Sequence, residues 1–294
     1  MLISMMSQAT FLQVSHAMGQ TNLDKPAQRV VTLFQGATDS LVALGIQPVG
    51  VVDSWTEKPT YHYLRPSLEG VTHLGLETQP NLEDIAALKP DVIIGARARH
   101  EKIYAQLKKI APTVMTDNVY DFEQTLSLAA KVTATEAKAQ QLWQTWQQRV
   151  ADFRQQIKHK SNGWPLSASI LDVRADHLRI YLNNSFAGSV LGSIGFQFPI
   201  RHNDTWGMKI KTKESLPSIN ADVFFVISHG NQPAVQQNYR AWRSHPLWQV
   251  LKAPRTQQVY EVNQVAWLLS GGILGANLML DELTEIYQLP KGEQ

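Results

Sequence analysis

The chain has 294 residues, of which 44% are hydrophobic, and a formal net charge of +2. This length suits two domains of ordinary size, each with its own core. The basic residues are scattered, which argues against a nucleic-acid-binding surface. No apolar run reaches the roughly 18 residues of a membrane helix, and the lack of cysteine excludes a cysteine nucleophile and thiolate zinc sites.

Residues 1–20 are typical of either an export signal or a disordered tail. The triplet Ser15-His16-Ala17 resembles a signal-peptidase site, but a basic leading region is missing and polar residues interrupt the apolar stretch. Both interpretations remain open from this segment alone.

The segment 21–134 alternates short strands with short helices. Asn81 can cap a helix whose first turn carries Glu83, since acidic groups suit that end of the helix dipole. The apolar run at 92–94 is typical of a strand buried on both faces of a parallel sheet. The alternation predicts a doubly wound parallel sheet. Strands are predicted at 29–33, 48–52, 92–94 and 113–115, helices at 39–44, 82–88, 101–111 and 122–132, and an irregular stretch at 55–73.

A long helix is predicted at 135–160. Neither glycine nor proline occurs between residues 121 and 160, and apolar residues recur at spacings of three and four. The apolar face consists of Leu142, Trp146, Val150, Phe153 and Ile157.

A second α/β series occupies 161–294. Strands are predicted at 168–173, 178–182, 223–227 and 259–262, and helices at 185–195 and 275–287. The predicted fold is therefore α/β, with two doubly wound lobes joined by a single long interlobe helix. The N-terminal lobe is expected at 21–134 and the C-terminal lobe at 161–294.

The stretch LGLETQPNLEDIAALKPDVII at 74–94 resembles the signature of the periplasmic siderophore-binding proteins, the helical-backbone class of ABC-transporter solute receptors. Further segments resemble the same family in the same order, namely 26–31, 44–50, 110–114, 189–195, 245–248, 258–260 and Trp267. Within the family, residues 78–80, 99–100 and 188–191 resemble the ferric citrate receptors, and receptors for vibrioferrin or a similar citrate-based siderophore are equally close.

This resemblance implies a periplasmic, monomeric binding protein with no catalytic activity. It implies an interlobe cleft for an anionic ferric siderophore and a surface that docks on an inner-membrane ABC permease. No cofactor of the protein's own is expected, because the iron arrives already coordinated by the siderophore. The long helix is expected to limit closure of the lobes to a few degrees.

Arginines follow the predicted central strand of each lobe. Arg97 and Arg99 come after the strand at 92–94, and Arg174 comes after the strand at 168–173. Open α/β sheets place ligands at the carboxyl ends of their strands, and the planar guanidinium can hold a carboxylate in a bidentate manner. We expect all three to bind the chelate. The alternatives are a solvated loop or a salt bridge for Arg97 and Arg99, and a surface ion pair with Asp172 or Asp176 for Arg174.

Aromatic residues supply the remaining ligand candidates. Trp206 resembles a cleft-wall tryptophan of the family, with Arg201 shortly before it. Trp267 is expected either to line the cleft or to pack in the C-terminal lobe. The irregular stretch adds Trp55, Tyr61, Tyr63 and Arg65 as residues of a cleft rim.

Acidic residues distinguish this chain from the hydroxamate receptors of the family and indicate where the permease docks. Hydroxamate receptors carry an arginine where this chain has Glu77, and a carboxylate there repels an anionic chelate. Glu77 is expected to pair with a cleft arginine and orient it. By resemblance, Glu83 and Glu214 are the residues that meet the permease, one on each lobe.

An enzymatic function is disfavoured, because the HExxH, Walker A and GxSxG motifs are absent from the sequence. The alternative within the same fold is a receptor for haem or for another ferric siderophore such as a hydroxamate, with Tyr61, Tyr63 or His100 as the haem-iron ligand.

Overall fold

A computed structural model describes residues 12–161, 163–202, 204–227, 229 and 232–290. The chain divides into two compact units, the first ending at Leu142 and the second beginning at Trp143, so that the division falls inside the long helix. Within the described ranges, no helix has both the length and the apolar character needed to cross a membrane.

The first unit contains eight strands and five helices among its described residues, followed by the start of the long helix. In chain order these are β1 (Leu12–His16), β2 (Gly19–Leu23), β3 (Val30–Thr32), α1 (Gln35–Ala43), β4 (Gly50–Asp53), β5 (Thr72–Leu76), β6 (Gln79–Pro80), α2 (Leu82–Ala87), β7 (Val92–Ala96), α3 (Arg97–His100), α4 (Tyr104–Ile110), β8 (Thr113–Thr116), α5 (Phe122–Thr133) and α6 (Glu136–Lys160), with 3₁₀ helices at His62–Ser67 and Glu101–Ile103.

A six-stranded sheet in the order β6-β5-β4-β3-β7-β8 forms the centre of this unit. All its pairings are parallel except that of β6 with β5. Val31 pairs with Ile93, and both are fully buried between the sheet and its helices. Parallel sheets are covered on both faces, which explains the continuous apolar run of β7. The predicted helix 82–88 and strand 92–94 are confirmed as α2 and β7.

The N-terminal segment corrects one expectation. Residues 12–20, predicted to belong to a signal or a disordered tail, lie in the antiparallel hairpin β1–β2. Val14 in this hairpin is 1% exposed. The hairpin packs on β8, since Ala17 N donates to the Met115 carbonyl at 2.9 Å and Thr21 Oγ1 to the Thr113 carbonyl at 2.9 Å. These residues belong to the folded unit, and residues 1–11 lie outside the described ranges.

The long helix predicted from the apolar spacing is present as α6. Trp146, Val150, Phe153 and Ile157 on its apolar face are all buried, as the spacing requires. The part of α6 in the second unit is tied down by Arg149, whose guanidinium donates to side chains of the C-terminal helix described next.

The second unit contains five strands and five further helices among its described residues. They are β9 (Ala168–Val173), β10 (Leu178–Tyr181), α7 (Phe186–Ile194), β11 (Gly207–Ile210), β12 (Val223–Ile227), α8 (Pro233–Arg243), α9 (Pro246–Val250), α10 (Lys252–Arg255), β13 (Val259–Val262) and α11 (Ile273–Ile286), with a 3₁₀ helix at Lys213–Ile219 and a π helix at Val265–Leu269.

The sheet of this unit has the order β11-β10-β9-β12-β13. Strands β9, β12 and β13 are parallel, whereas β10 and β11 are antiparallel to their neighbours. The sheet is therefore mixed, and the turn from β9 into β10 is short. Leu171 and Val226 on one face pack against Trp242 of α8 and Trp248 of α9. The α/β class is confirmed in both units.

Candidate functional site

Arg99 is held by a buried carboxylate at the carboxyl end of β7. Strand β7 ends at Ala96 and α3 begins at once. Arg99 Nε donates to Glu77 Oε1 at 3.1 Å, with 36% of the Arg99 side chain exposed against 4% for Glu77. Burial raises the pKa of the Glu77 carboxyl, although the Arg99 charge opposes this. The pairing expected for Glu77 is present, and the rest of the guanidinium makes no hydrogen bond to a described residue.

His100 fixes the segment that carries Glu77. The Ala96 amide donates to His100 Nδ1 at 3.0 Å, so the ring proton lies on Nε2, which donates to the Glu77 carbonyl at 2.8 Å. Burial lowers the pKa of His100, consistent with a neutral ring. Gly95 provides room, since a Cβ there would lie 3.2 Å from His100 Nδ1 and 2.6 Å from Met115 Sδ. Glu77 and Arg99 are thus fixed relative to each other.

Trp55 contributes an exposed aromatic surface to the same cluster. Its indole is 43% exposed, and Nε1 donates to Glu77 Oε2 at 3.4 Å. Tyr61 was expected on the same rim but is fully buried, with its hydroxyl accepting from the Trp55 amide at 3.3 Å. The expectation that Tyr61 lies on the cleft rim is therefore wrong. Its hydroxyl holds the backbone of Trp55, and its buried ring offers no surface to a ligand. We refer to Arg99, Glu77, Trp55 and His100 as the Arg99 cluster.

The other two ligand candidates among the arginines of this unit, Arg65 and Arg97, have different partners. Arg65 Nε donates to the Thr60 carbonyl at 3.0 Å, and its Nη2 donates to the Glu57 carbonyl at 2.9 Å. Its guanidinium braces the loop that carries Trp55. Arg97 forms a 2.7 Å ion pair with Asp117 in which both side chains are about half exposed. Of the three, Arg99 combines a fixed position with an exposed edge.

In the second unit, Arg174 occupies an environment of the same kind. Asp172 on β9 is fully buried and accepts from Arg174 Nε at 2.8 Å, while the Arg174 side chain is 37% exposed. His229 Nε2 donates to Asp172 Oδ1, and Gln264 Nε2 donates to His229 Nδ1 at 2.9 Å. Burial alone would raise the pKa of Asp172, but the His229 hydrogen bond and the Arg174 charge outweigh it and hold the pKa below its usual value. The ion pair that was the alternative for Arg174 is therefore present, with its carboxylate in the interior.

Tyr181 completes this second group. Its hydroxyl donates to Asp172 Oδ2 at 3.3 Å, and burial, followed by the Asp172 charge, raises its pKa to about 12. The phenol therefore stays neutral and remains a donor. We refer to Arg174, Asp172, Tyr181 and His229 as the Arg174 cluster.

Trp206 packs beside the Arg174 cluster. Its ring stacks on Tyr181 with centroids 5.5 Å apart, and the Arg179 guanidinium lies over the same ring with Cζ 5.2 Å from the ring centroid. Arg201 is exposed and makes no ion pair with a described residue. The structure therefore brings Trp206, Arg174 and the unexpected Arg179 to one end of the sheet.

Trp267 corrects another expectation. It is 1% exposed, its ring lies 4.7 Å from that of Phe225, and its Nε1 donates to Glu282 Oε2 at 2.7 Å. Of the two roles considered for it, packing within the C-terminal lobe is the observed one. It has no surface for a ligand.

The two acids expected to dock on the permease are both exposed. Glu83 follows the cap of α2, where the Asn81 side chain accepts from the Glu83 and Asp84 amides. Glu214 lies in the first turn of the 3₁₀ helix Lys213–Ile219. Neither side chain forms an ion pair with a described residue, so both carboxylates are available to a partner.

The residues considered as haem ligands already have partners. His100 uses both ring nitrogens, and the Tyr63 hydroxyl donates to Asp39 Oδ2 at 2.8 Å. Tyr61 is fully buried. Among the described residues, no group of three or more histidines and acids is placed to hold a metal ion. The clusters instead present cationic hydrogen-bond donors, which suit an anionic ligand.

Two important groups could not be identified from the sequence. His229 lies 57 residues from Asp172, its hydrogen-bond partner, and no local pattern joins them. Arg179 lies within a strand whose other residues are mostly buried, and its only signal is a charge at that position. Only the register of the two strands, in which Arg179 lies opposite Asp172, shows that these residues are neighbours.

Comparison with known proteins identifies the family. The periplasmic binding protein family matches residues 30–266. The achromobactin-binding periplasmic protein of Dickeya dadantii is 48% identical over 98% of each chain. The Fe(3+) dicitrate-binding periplasmic protein of Escherichia coli is 27% identical over 97% of this chain and 93% of its own.

A solved structure agrees with these relatives. Staphylococcus aureus SirA complexed with staphyloferrin B has a TM-score of 0.89 and 38% identity, covering 95% of this chain and 99% of that one. The chain belongs to the periplasmic binding protein family. The recognised class, siderophore-binding proteins of iron ABC importers, and the periplasmic location are confirmed. The relatives are substrate-binding transport proteins, not enzymes.

Proposed function

We propose that this protein captures the ferric complex of a citrate-based carboxylate siderophore and delivers it to an inner-membrane ABC permease. The observation that carries the proposal is the pair of arginines, Arg99 and Arg174, each at the carboxyl end of a strand and each held by a buried acid. The relative with 48% identity binds achromobactin, a citrate-based siderophore. Ferric citrate is the simplest ligand of this chemical class.

Binding requires no chemical step by the protein. The iron stays within its chelate, and the protein supplies hydrogen-bond donors to the peripheral carboxylates. Glu77 and Asp172 hold their arginines in place, so little side-chain entropy is lost when the ligand binds. Both guanidinium groups keep exposed N–H donors for a carboxylate. Trp55 and Trp206 add apolar contact area beside these donors.

Three of the expected ligand residues are assigned smaller parts in this proposal. Arg97 and Arg201 contribute positive charge near the bound chelate. Arg65 acts indirectly, because it braces the loop of Trp55 through the Thr60 and Glu57 carbonyls. Replacing Arg65 should therefore weaken binding less than replacing Arg99.

We further propose that Glu83 and Glu214 contact the permease and that the protein acts as a monomer. Both carboxylates are exposed, one in each of the two units. Exposed acids contribute to the rate and specificity of protein association through charge complementarity. The docking surfaces on the permease should accordingly be basic.

The ligand class is tested by titrating the purified protein and following tryptophan fluorescence. Ferric citrate, ferric achromobactin and ferric staphyloferrin B form the carboxylate arm, and ferrioxamine and haemin form the comparison arm. The proposal predicts saturable quenching with at least one carboxylate chelate. It also predicts that Arg99→Gln and Arg174→Gln each weaken binding about 10- to 100-fold, the value of a charge-assisted hydrogen bond. Binding of haemin or ferrioxamine alone would contradict it and favour the alternative ligand classes.

A further inference from the structure

Arg179, unlike Arg174, has no acidic partner among the described residues. It lies on β10, half-buried, and its Cζ is 5.2 Å from the centroid of the Trp206 ring. It forms no hydrogen bond or ion pair with any residue of the described ranges. An uncompensated guanidinium is costly to remove from water. A side chain in this state is therefore expected to serve something outside the chain.

The nearest carboxylate cannot supply the missing partner. Arg179 is opposite Asp172 in the strand register. The oxygens of Asp172, however, already accept hydrogen bonds from Arg174, His229 and Tyr181. The guanidinium groups of Arg174 and Arg179 therefore lie beside a single carboxylate whose oxygens are already occupied.

The cation–π contact with Trp206 positions the Arg179 guanidinium without using its hydrogen-bond donors. A guanidinium held over an aromatic ring keeps its N–H groups for hydrogen bonds. Tyr181 stacks on the same indole, with centroids 5.5 Å apart, and so limits its movement. The planar fork of a guanidinium matches an acceptor with two oxygens, which describes a carboxylate.

We propose that Arg179 and Trp206 form a carboxylate-binding subsite that receives a peripheral, iron-free carboxylate of the ferric chelate. This inference rests on the proposed function and deepens it, because it assigns a second anion-binding position to the second unit, distinct from Arg174. The subsite selects for chelates that carry a free carboxylate and adds little affinity for ligands without one.

The test compares Arg179→Gln and Arg179→Lys with a matched control, Arg243→Gln. Arg243 also lies over an aromatic ring, 5.3 Å from the Tyr239 centroid, but on α8 and exposed. The affinities for ferric achromobactin and ferric citrate are measured by tryptophan fluorescence, with thermal unfolding followed by circular dichroism. We expect Arg179→Gln to weaken binding about 10- to 100-fold. We expect Arg179→Lys to restore only part of this, and Arg243→Gln to bind as the wild type does.

The outcomes separate the two proposals. If the wild type binds the carboxylate chelates and Arg179→Gln binds them equally well, the subsite is wrong and the proposed function stands. If the wild type binds neither chelate, both are wrong. If Arg179→Lys binds the chelates with the wild-type affinity, positive charge alone is sufficient, and the bidentate subsite is wrong. A folded Arg179→Lys variant keeps the comparison valid should Arg179→Gln unfold.

Discussion

Replacing Asp172 with asparagine tests the arrangement of the Arg174 cluster most sharply. Asp172 is fully buried and accepts hydrogen bonds from Arg174, His229 and Tyr181. Asparagine has nearly the same shape, but its amide turns one acceptor into a donor and removes the negative charge. The Arg174 guanidinium then faces an amide, and its positive charge is left without compensation.

The expected loss of stability follows from these contacts. Removing one partner of a buried ion pair costs about 3–5 kcal/mol. The cost of Asp172→Asn should lie at the low end of that range, because the Arg174 side chain is 37% exposed and water replaces part of the interaction. We therefore expect the free energy of unfolding at pH 7 to fall by about 3 kcal/mol.

The same substitution has a characteristic pH dependence. The pKa of Asp172 lies below its usual value of 3.8 in the folded protein. A carboxyl with a depressed pKa stabilises the fold fully above its unfolded-state pKa and loses this contribution as the pH falls through the folded pKa. The difference between wild type and Asp172→Asn should thus be largest at neutral pH and shrink below about pH 4.

Urea denaturation of both proteins between pH 3 and pH 8 measures this difference. Asp176→Asn is the matched control, since Asp176 also pairs with a histidine but its side chain is 81% exposed. That variant should keep nearly the wild-type stability. If the free energy of unfolding falls by less than about 1 kcal/mol in Asp172→Asn, or falls by the same amount at every pH, the Asp172 carboxylate does not stabilise the fold in this way.

Glu77→Gln should show the opposite pH trend: the pKa of Glu77 is raised by burial, so the wild type is favoured below about pH 4.5 and loses this advantage as the pH rises, in the same urea titrations. Glu83→Ala and Glu214→Ala should bind the chelate as the wild type does but reduce ⁵⁵Fe uptake in cells; unchanged uptake in both would argue against docking through them. Trp267→Phe should lower the free energy of unfolding by about 1–2 kcal/mol through loss of the Glu282 hydrogen bond, without changing ligand affinity. Val14→Asp should cost about 3 kcal/mol or more, because it buries a charge under the hairpin, and a neutral effect would mean that the hairpin is dispensable.

The sequence predicts those parts of the fold that rest on local patterns. The apolar spacing of α6 and the continuous apolar run of β7 define their elements without tertiary information. The hairpin at 12–23 escapes this approach, because both strands are mostly polar and only Val14 and Leu23 are buried. Its stability comes from packing on β8, which no local pattern contains.

The functional residues also divide into those that a local pattern predicts and those that depend on tertiary structure. The position of Arg99 is predictable, since the carboxyl end of a buried strand is recognisable from sequence. Its partner Glu77 is 22 residues away, and the burial of that carboxylate depends on the tertiary structure. Tyr61 and Trp267 have the composition of ligand-contacting residues, yet their packing buries them completely. Aromatic residue type alone does not distinguish a cleft wall from a core.

Native mass spectrometry of the protein, purified without denaturation from iron-starved cells, tests most directly whether the protein carries a ferric carboxylate chelate. We expect an added mass equal to one iron complex of a carboxylate siderophore, and loss of that species in the Arg99→Gln Arg174→Gln double variant. Haem or a ferric hydroxamate as the bound molecule, or an unchanged carboxylate complex in the double variant, would contradict it.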